Sequence, residues 1–269
     1  FFCMENKFKG AVFFDYDGTL TYKNTGLFLP SAETVGAIKS LRQNGYAACL
    51  STGRSYSYVP DCGIEFDIML TDNGGCAVYN DKILGEKPFD KKTIKLLTDY
   101  FTEHNMIYVL ESSHICFVNL PDDTLFNKMI ALFNVSPESF TPVEKYNGEN
   151  IYKLMLIYRN PSDFEPFKNK FSDIADITMP SGDVTSCDIN PKGVSKADGV
   201  FDVCKYFNID IKDTYAIGDG ENDYTMLKAA GHGIAMKVHH QSLDSVAEYI
   251  TGPADGDGIQ QALLHYGLI

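Results

Sequence analysis

Asp15-Tyr16-Asp17-Gly18-Thr19 stands directly after the apolar run Ala11-Val12-Phe13-Phe14 and before a loop holding Thr21, Asn24, Thr25 and Gly26. An apolar run that stops at polar, Gly-containing sequence reads as the end of a buried strand. Side chains alternate along a strand but diverge where it passes into a loop, so Asp15 and Asp17 can both reach a common site. One carboxylate can then attack an electrophile while the other carries protons. Gly18 permits a sharp turn, and Thr19 offers a hydroxyl and a backbone N–H to an anion.

Three further clusters follow at wide spacing. Ser51-Thr52-Gly53-Arg54 closes the strand-like run 46–50, and Pro191-Lys192-Gly193-Val194-Ser195-Lys196 opens a helix-like stretch. Gly218-Asp219-Gly220-Glu221-Asn222-Asp223 follows Tyr215-Ala216-Ile217 and precedes the helical pattern of 224–230. Two strand ends rich in Asp and Gly can supply the oxygen ligands that Mg²⁺ prefers. In order, the chain carries an acid pair, a hydroxyl beside glycine, a lysine and an acid cluster.

That ordered set resembles the haloacid dehalogenase-like (HAD) hydrolase superfamily, and within it the Cof-type sugar-phosphatase branch with its α+β class-2 cap. The resemblance covers essentially the whole chain and rests on the D-x-D-G-T and G-D-G-x-N-D elements together. It implies a Rossmann-like parallel-sheet core at 1–79 and 190–269, interrupted by a cap at 80–189. It implies Asp15 as a nucleophile that becomes an aspartyl-phosphate, and Asp17 as the acid for the leaving alkoxide and then the base for water. Asp15, the backbone carbonyl of Asp17, and Asp219 would ligate Mg²⁺. Thr52 and Lys196 would hold phosphoryl oxygens, with Lys192 a nearby competitor for the lysine role. Asp223 would support either the metal's outer shell or the Lys196 ammonium, and Asn222 would orient its loop. Gly18, Gly53, Arg54 and Asn73 are candidates for the phosphate or substrate side; Arg54 is equally readable as a structural salt bridge. A carboxylate at Asp17 excludes the family's dehalogenases and ion pumps. It leaves a phosphohydrolase acting on small phosphate monoesters such as sugar phosphates, with a phosphomutase as the near alternative and a non-catalytic phospho-ligand sensor as the distant one. Tyr16, where aliphatic residues or Phe are usual, is expected to point into the core.

Composition agrees with an α/β enzyme. The chain has 269 residues, with 44% hydrophobic and 13% aromatic, enough for a large core. Its formal net charge of −13 argues against nucleic acid or an anionic membrane as partner. A phosphate ester must still approach it, so bound Mg²⁺, Lys196 and Arg54 would have to reverse the field locally. Seven scattered cysteines without a C-x-x-C pair suggest reduced thiols and a cytoplasmic location. No apolar run reaches the roughly 20 residues that span a bilayer. Phe1-Phe2-Cys3-Met4 is too short and too soon followed by charge for a signal peptide, and Met4 is a candidate start.

Strands at 11–14, 46–50 and 66–70, with a helix at 31–44 that Ser31 caps and Gly45 ends, predict a parallel sheet covered on both faces. Ligands bind such sheets beyond the carboxyl ends of the strands, where all four motifs fall. From 80 the rhythm changes. Helices at 91–104, 122–133 and 163–171 alternate with strands at 106–111, 114–120, 151–158, 177–180 and 184–189. These predict an α+β sheet open on one side, a hairpin turn at Ser181-Gly182-Asp183, and hinges near 80–85 and 184–191. The loop 254–258 reads as a solvated turn. His239 and His240 are expected at the surface and His232 in a structural role, while His114 falls in the cap and is a weak candidate for substrate contact.

Overall fold

The computed structural model describes residues 7–179 and 185–269. Phe1–Met4 and the Ser181-Gly182-Asp183 turn lie outside these residues. The chain forms two compact units. The first takes the chain up to Thr52, then Pro60–Gly85 and Ser195–Ile269; the second takes Gly53–Val59 and Glu86–Val194. The short segment Gly53–Val59 therefore groups with the inserted sequence, whereas residues 80–85 do not.

The chain enters on strand β1 (Gly10–Phe14), whose five residues are all buried. Helix α1 (Ala32–Gln43) starts at Ser31, whose Oγ accepts a hydrogen bond from the Thr34 N–H at 3.1 Å. It buries Thr34, Ala37, Ile38 and Leu41 along one face and gives way to Gly45 at φ +91°. Strands β2 (Tyr46–Ser51) and β3 (Ile68–Thr71) follow. Next come β4 (Cys76–Tyr79) and β5 (Lys82–Glu86), joined through Asn80 and Asp81 at φ +46° and +60°. Two residues in the left-handed region make a tight hairpin turn. The stretch 80–85, expected as a hinge, is this turn and most of an edge strand.

The next section holds α2 (Lys91–Glu103), β6 (Ile107–Glu111), β7 (Cys116–Val118), α3 (Thr124–Leu132) and β8 (Phe140–Pro142). It continues with β9 (Lys153–Ile157), α4 (Phe164–Phe171), β10 (Ala175–Thr178) and β11 (Ser186–Pro191). The chain then rejoins the first unit with α5 (Lys196–Phe207), β12 (Thr214–Gly218), α6 (Tyr224–Ala229), β13 (His232–Ala235), β14 (Tyr249–Ile250) and α7 (Gly258–His265).

In the first unit an eight-stranded sheet runs β14-β13-β12-β1-β2-β3-β4-β5. Pairing is parallel from β14 to β3 and antiparallel between β3 and β4. Parallel strands end on one edge, so the loops after β1, β2, β3 and β12 emerge side by side. The fold is mixed α/β with a parallel-sheet core, as the alternation of apolar strands with helices predicts.

In the second unit the order is β10-β11-β9-β6-β7-β8, antiparallel except for β7 beside β8. Alternate residues feed two apolar clusters. Tyr108, Leu110, Leu154 and Leu156 pack with Leu97 and Phe101 of α2 and Phe167 of α4. Ile107, Val109 and Ile157 pack with Phe126, Met129 and Ile130 of α3. The expectation of a sheet open on one side is corrected here, because α3 covers part of the second face. The stretch expected as a second hinge, 184–191, is largely β11, bonded to β9 and β10. Among the described residues no helix is long and apolar enough to cross a membrane, and none of the six described cysteines is in a disulfide.

Candidate active site

The acid pair separates where β1 ends. The Asp15 N–H donates to the Ile217 carbonyl at 3.0 Å, extending the β1–β12 ladder by one residue. Its side chain is buried, with Oδ1 at 2.5 Å from Lys196 Nζ. Asp17 goes elsewhere: its carboxylate is about one-third exposed and pairs with Lys23 at 3.1 Å. Two residues apart in sequence, the carboxylates thus occupy a dry and a wet environment. Between them and β12 there is no spare room, since a Cβ on Gly18, at φ +103°, would lie 2.1 Å from an Asp219 oxygen. Thr19 Oγ1 donates to Asp219 Oδ1 at 2.8 Å. The Thr19 hydroxyl, expected for an anion, braces a carboxylate here.

Asp219 and Asp223 come from the loop after β12. Asp223 is wholly buried and divided between two tasks. Its Oδ2 accepts from the Asp219 and Gly220 N–H groups, both at 2.9 Å, and its Oδ1 lies 2.7 Å from Lys196 Nζ. Of the two supports expected from Asp223, the contact with the Lys196 ammonium is present. Asn222 Nδ2 donates to Asn73 Oδ1 at 3.1 Å, which ties the β12 loop to the loop after β3. In that second loop Asp72, Asn73 and Gly74 all have positive φ, at 56°, 56° and 89°. A Cβ on Gly74 would sit 2.1 Å from the Ser195 carbonyl oxygen, so the turn presses against the start of α5.

Lys196 is the first residue of α5 and is fully buried. Its ammonium donates to Asp15, to Asp223 and, at 3.0 Å, to the Ser51 carbonyl. Lys192 does not compete: it is exposed and pairs with Asp176 at 2.8 Å. Thr52 is buried at the end of β2, its N–H donating to Leu70 and its carbonyl accepting from Asn73.

Carboxylate oxygens of Asp15, Asp219 and Asp223 lie within 4.8 Å of one another and could hold a metal ion. Burial, then the Asp223 charge, pushes the Asp15 carboxyl up to about 7, against the pull of Lys196. Burial, then Asp15 and Asp223, pushes Asp219 up to about 9. Burial also works against the Lys196 ammonium, but Asp15 and Asp223 outweigh it and hold the group well above the ordinary lysine value. One ammonium faces three carboxyl groups in a dry place, more than it can balance, which is why Asp15 and Asp219 hold their protons to unusually high pH. The cluster's oxygen-only donor set suits a hard divalent cation.

The other expected residues have partners of their own. Gly53 and Arg54 belong to the second unit, where the Gly53 carbonyl accepts from Lys153 at 2.7 Å and Arg54 Nη2 donates to the Phe133 carbonyl at 3.4 Å. His232 pairs with Glu248 at 2.7 Å and stacks on Tyr215. His239 is half-buried, bonded to the Met236 carbonyl and Asp244; His240 is exposed and caps the turn at Gln241–Ser245. His114 is exposed and lines a hollow of the second unit with Ser57, Ser136 and Glu138. Not anticipated at all are the buried Lys153 and Glu111. Nothing local in sequence marks them, because strand pairing alone brings β6 to β9.

A profile of the haloacid dehalogenase-like hydrolase family matches residues 12–263. YkrA of Bacillus subtilis (strain 168), a proposed phosphatase, is 27% identical over 262 residues, 96% of this chain and 98% of its own. The 5-amino-6-(5-phospho-D-ribitylamino)uracil phosphatase YwtE of the same organism is 24% identical, covering 91% of this chain and 93% of its own. The structure of the HAD subclass IIB sugar phosphatase BT4131 matches with a TM-score of 0.83 at 22% identity, covering 97% of this chain and 100% of that one, and shares its fold. With the profile spanning both arms of the core sheet and every loop of the acidic cluster, the chain belongs to the haloacid dehalogenase-like hydrolase family.

Proposed function

We propose that the chain is a Mg²⁺-dependent phosphomonoesterase that hydrolyses small phosphorylated metabolites, sugar phosphates foremost, through an aspartyl-phosphate. One observation carries this reading: Asp15 is buried against Lys196 while Asp17, two residues on, meets solvent and Lys23. A carboxylate held dry beside a cation is suited to attack, and one that reaches water is suited to move protons. An Asp15 oxygen attacks phosphorus and the bond from phosphorus to the ester oxygen breaks. Asp17 gives its proton to the departing alkoxide. Asp17 then takes a proton from water, whose oxygen displaces Asp15 and releases inorganic phosphate. Thr52 and Lys196 hold the phosphoryl oxygens throughout.

Asp15, the Asp17 carbonyl and Asp219 would hold the Mg²⁺. When bound it supplies charge neutralisation, easing the approach of carboxylate to phosphate and stabilising the transferring group. The charge excess of the three aspartates supports such an ion. The name of YwtE, which acts on a phosphorylated ribityl compound, and that of the sugar phosphatase BT4131 support a polyhydroxylated leaving group. We assign the choice of leaving group to the second unit, acting as a cap.

The test is inorganic phosphate release from a panel of phosphate monoesters, with Mg²⁺ and with EDTA, for wild type and Asp15→Asn. Release that needs both Mg²⁺ and Asp15 is expected. Interconversion of isomers without phosphate release would point to a mutase, and binding without turnover to a sensor.

A further inference from the structure

Thr52 ends the first unit's opening stretch and Gly53 begins the second unit. The carbonyls of the residues before and after Thr52 each accept from a buried lysine. Ser51 O accepts from Lys196 Nζ at 3.0 Å, and Gly53 O accepts from Lys153 Nζ at 2.7 Å. Lys153 is 3% exposed and lies directly opposite Glu111 in the β6–β9 ladder. Its ammonium is 3.3 Å from Glu111 and 3.2 Å from Asp188. Glu111 is wholly buried, and its Oε2 accepts from the Tyr58 hydroxyl at 2.8 Å. Between these two ends Ser55 Oγ donates to the Ser112 carbonyl at 2.9 Å, and Tyr58 stacks on Phe140. The segment Gly53–Val59 is thus pinned at its first residue, its middle and its last turn to β6, β9 and the loop after β6.

Stability does not ask for such a pair. Burying a lysine and a glutamate costs several kcal/mol per ion before their attraction is counted, and well-packed apolar residues often serve as well. Here burial pushes the Glu111 carboxyl up to about 7 despite the pull of Lys153. What the ions provide and an apolar pair could not is a fixed donor for the Gly53 carbonyl and a fixed acceptor for the Tyr58 hydroxyl.

We propose that Lys153 and Glu111 are positioning residues for the phosphoryl-binding turn, holding in place the Gly53 carbonyl, one residue after Thr52. This rests on the reading of Thr52 as a phosphoryl ligand. Misplacing such a ligand by about 1 Å is enough to cost up to about a hundredfold in rate.

Removing Lys153 alone would strand Glu111, so the informative variant is the pair Lys153→Met with Glu111→Leu, which removes both charges and keeps similar volume. Steady-state kinetics on the best ester, with inorganic phosphate as competitive inhibitor, are compared for wild type, the paired variant, Lys153→Arg and Tyr58→Phe. The paired variant is expected to keep its Tm, lose roughly tenfold or more in kcat/KM, and weaken inhibition by phosphate by a similar factor. Lys153→Arg, which keeps a donor and a charge, should recover most of the loss, and Tyr58→Phe should show a smaller loss of the same kind. A folded paired variant with wild-type constants overturns the proposal. So does a fall in kcat with the phosphate inhibition constant unchanged, which is what a smaller folded fraction produces. Should the paired variant not fold, Tyr58→Phe decides by the same inhibition constant: weaker inhibition supports the proposal and an unmoved value overturns it. A wild type that hydrolyses no ester is a different result, and removes the phosphatase reading instead.

Discussion

Lys196 and Lys153 are built to one plan in two sheets. Each is a buried ammonium between two carboxylates, Asp15 and Asp223 in one case and Glu111 and Asp188 in the other, and each donates to one backbone carbonyl. They differ in surroundings. The first sits among loops at strand ends, with a third carboxylate, Asp219, close by. The second sits on strands in the middle of a sheet, with the Tyr58 hydroxyl as an added donor to Glu111. Excess carboxylates on loops make a place that could hold a further cation. A more nearly balanced pair on a ladder makes an anchor for backbone. The same residue types therefore separate into chemistry and support by charge count and by the stiffness of what carries them.

Asp15→Asn should break the first cluster most severely. Turnover is expected to fall by roughly 10⁴-fold or more, as for loss of a nucleophile. Far-UV circular dichroism should stay native, because removing one of three crowded carboxylates relieves repulsion. Retained phosphate release would remove Asp15 from the reaction. Next, Lys196→Met leaves Asp15 and Asp223 buried without their cation, and urea unfolding should show a loss of about 3–5 kcal/mol. The double replacement at Lys153 and Glu111 should cost far less; equal losses would mean that charge balance does not distinguish the two sites.

A third prediction concerns pH and metal. The folded-state values of Asp15 and Asp219, about 7 and about 9, lie above the ordinary carboxylate value near 4. In the window between, the folded protein holds more protons than the unfolded one. Stability of the metal-free protein should therefore fall as pH rises from about 4 to about 9. Glu111 adds a fall of the same sign up to about 7. Only the aspartate part should respond to Mg²⁺, by about 2.7 kcal/mol at a hundred times Kd. Thermal scans at three pH values, with EDTA or Mg²⁺, separate the two contributions; a Tm indifferent to Mg²⁺ at high pH would count against the ion. The smallest effect is expected at Asn73→Ala, which loses the bond to Asn222 and a side chain tolerant of positive φ. About 1 kcal/mol is expected from urea unfolding.

Much of this was legible before any coordinates. The run 11–14 is the core of β1, Ser31 caps α1, and the helix expected at 91–104 ends one residue early. These succeed because burial on both faces, a cap or a 3.6-residue period is a local signal. The strands β4 and β5 were missed because Asn80 and Asp81 look like loop and β5 lies mostly exposed at an edge. Within the acidic cluster, residue types gave the members, but the division of labour needed geometry. Sequence could not show that Asp17 turns to Lys23, or that Asp223 divides its two oxygens between Lys196 and the backbone N–H groups of its own loop. Nor could it show Lys153 against Glu111, since a cross-strand partner some forty residues away leaves no periodic trace.

The sheet order has a consequence for how the molecule is made. β1 lies between β2 and β12, with Ala11 facing both Ala47 and Thr214. On a ribosome the first of these partners emerges early and the second only after the whole inserted unit has been synthesised. For most of translation one side of a fully apolar strand has no neighbour, while the segment that will become the second unit can complete its own sheet. Pairings of such long range form slowly, and an apolar strand left waiting with an open edge is prone to aggregate. In this chain the interval of greatest exposure is set by the length of the insertion.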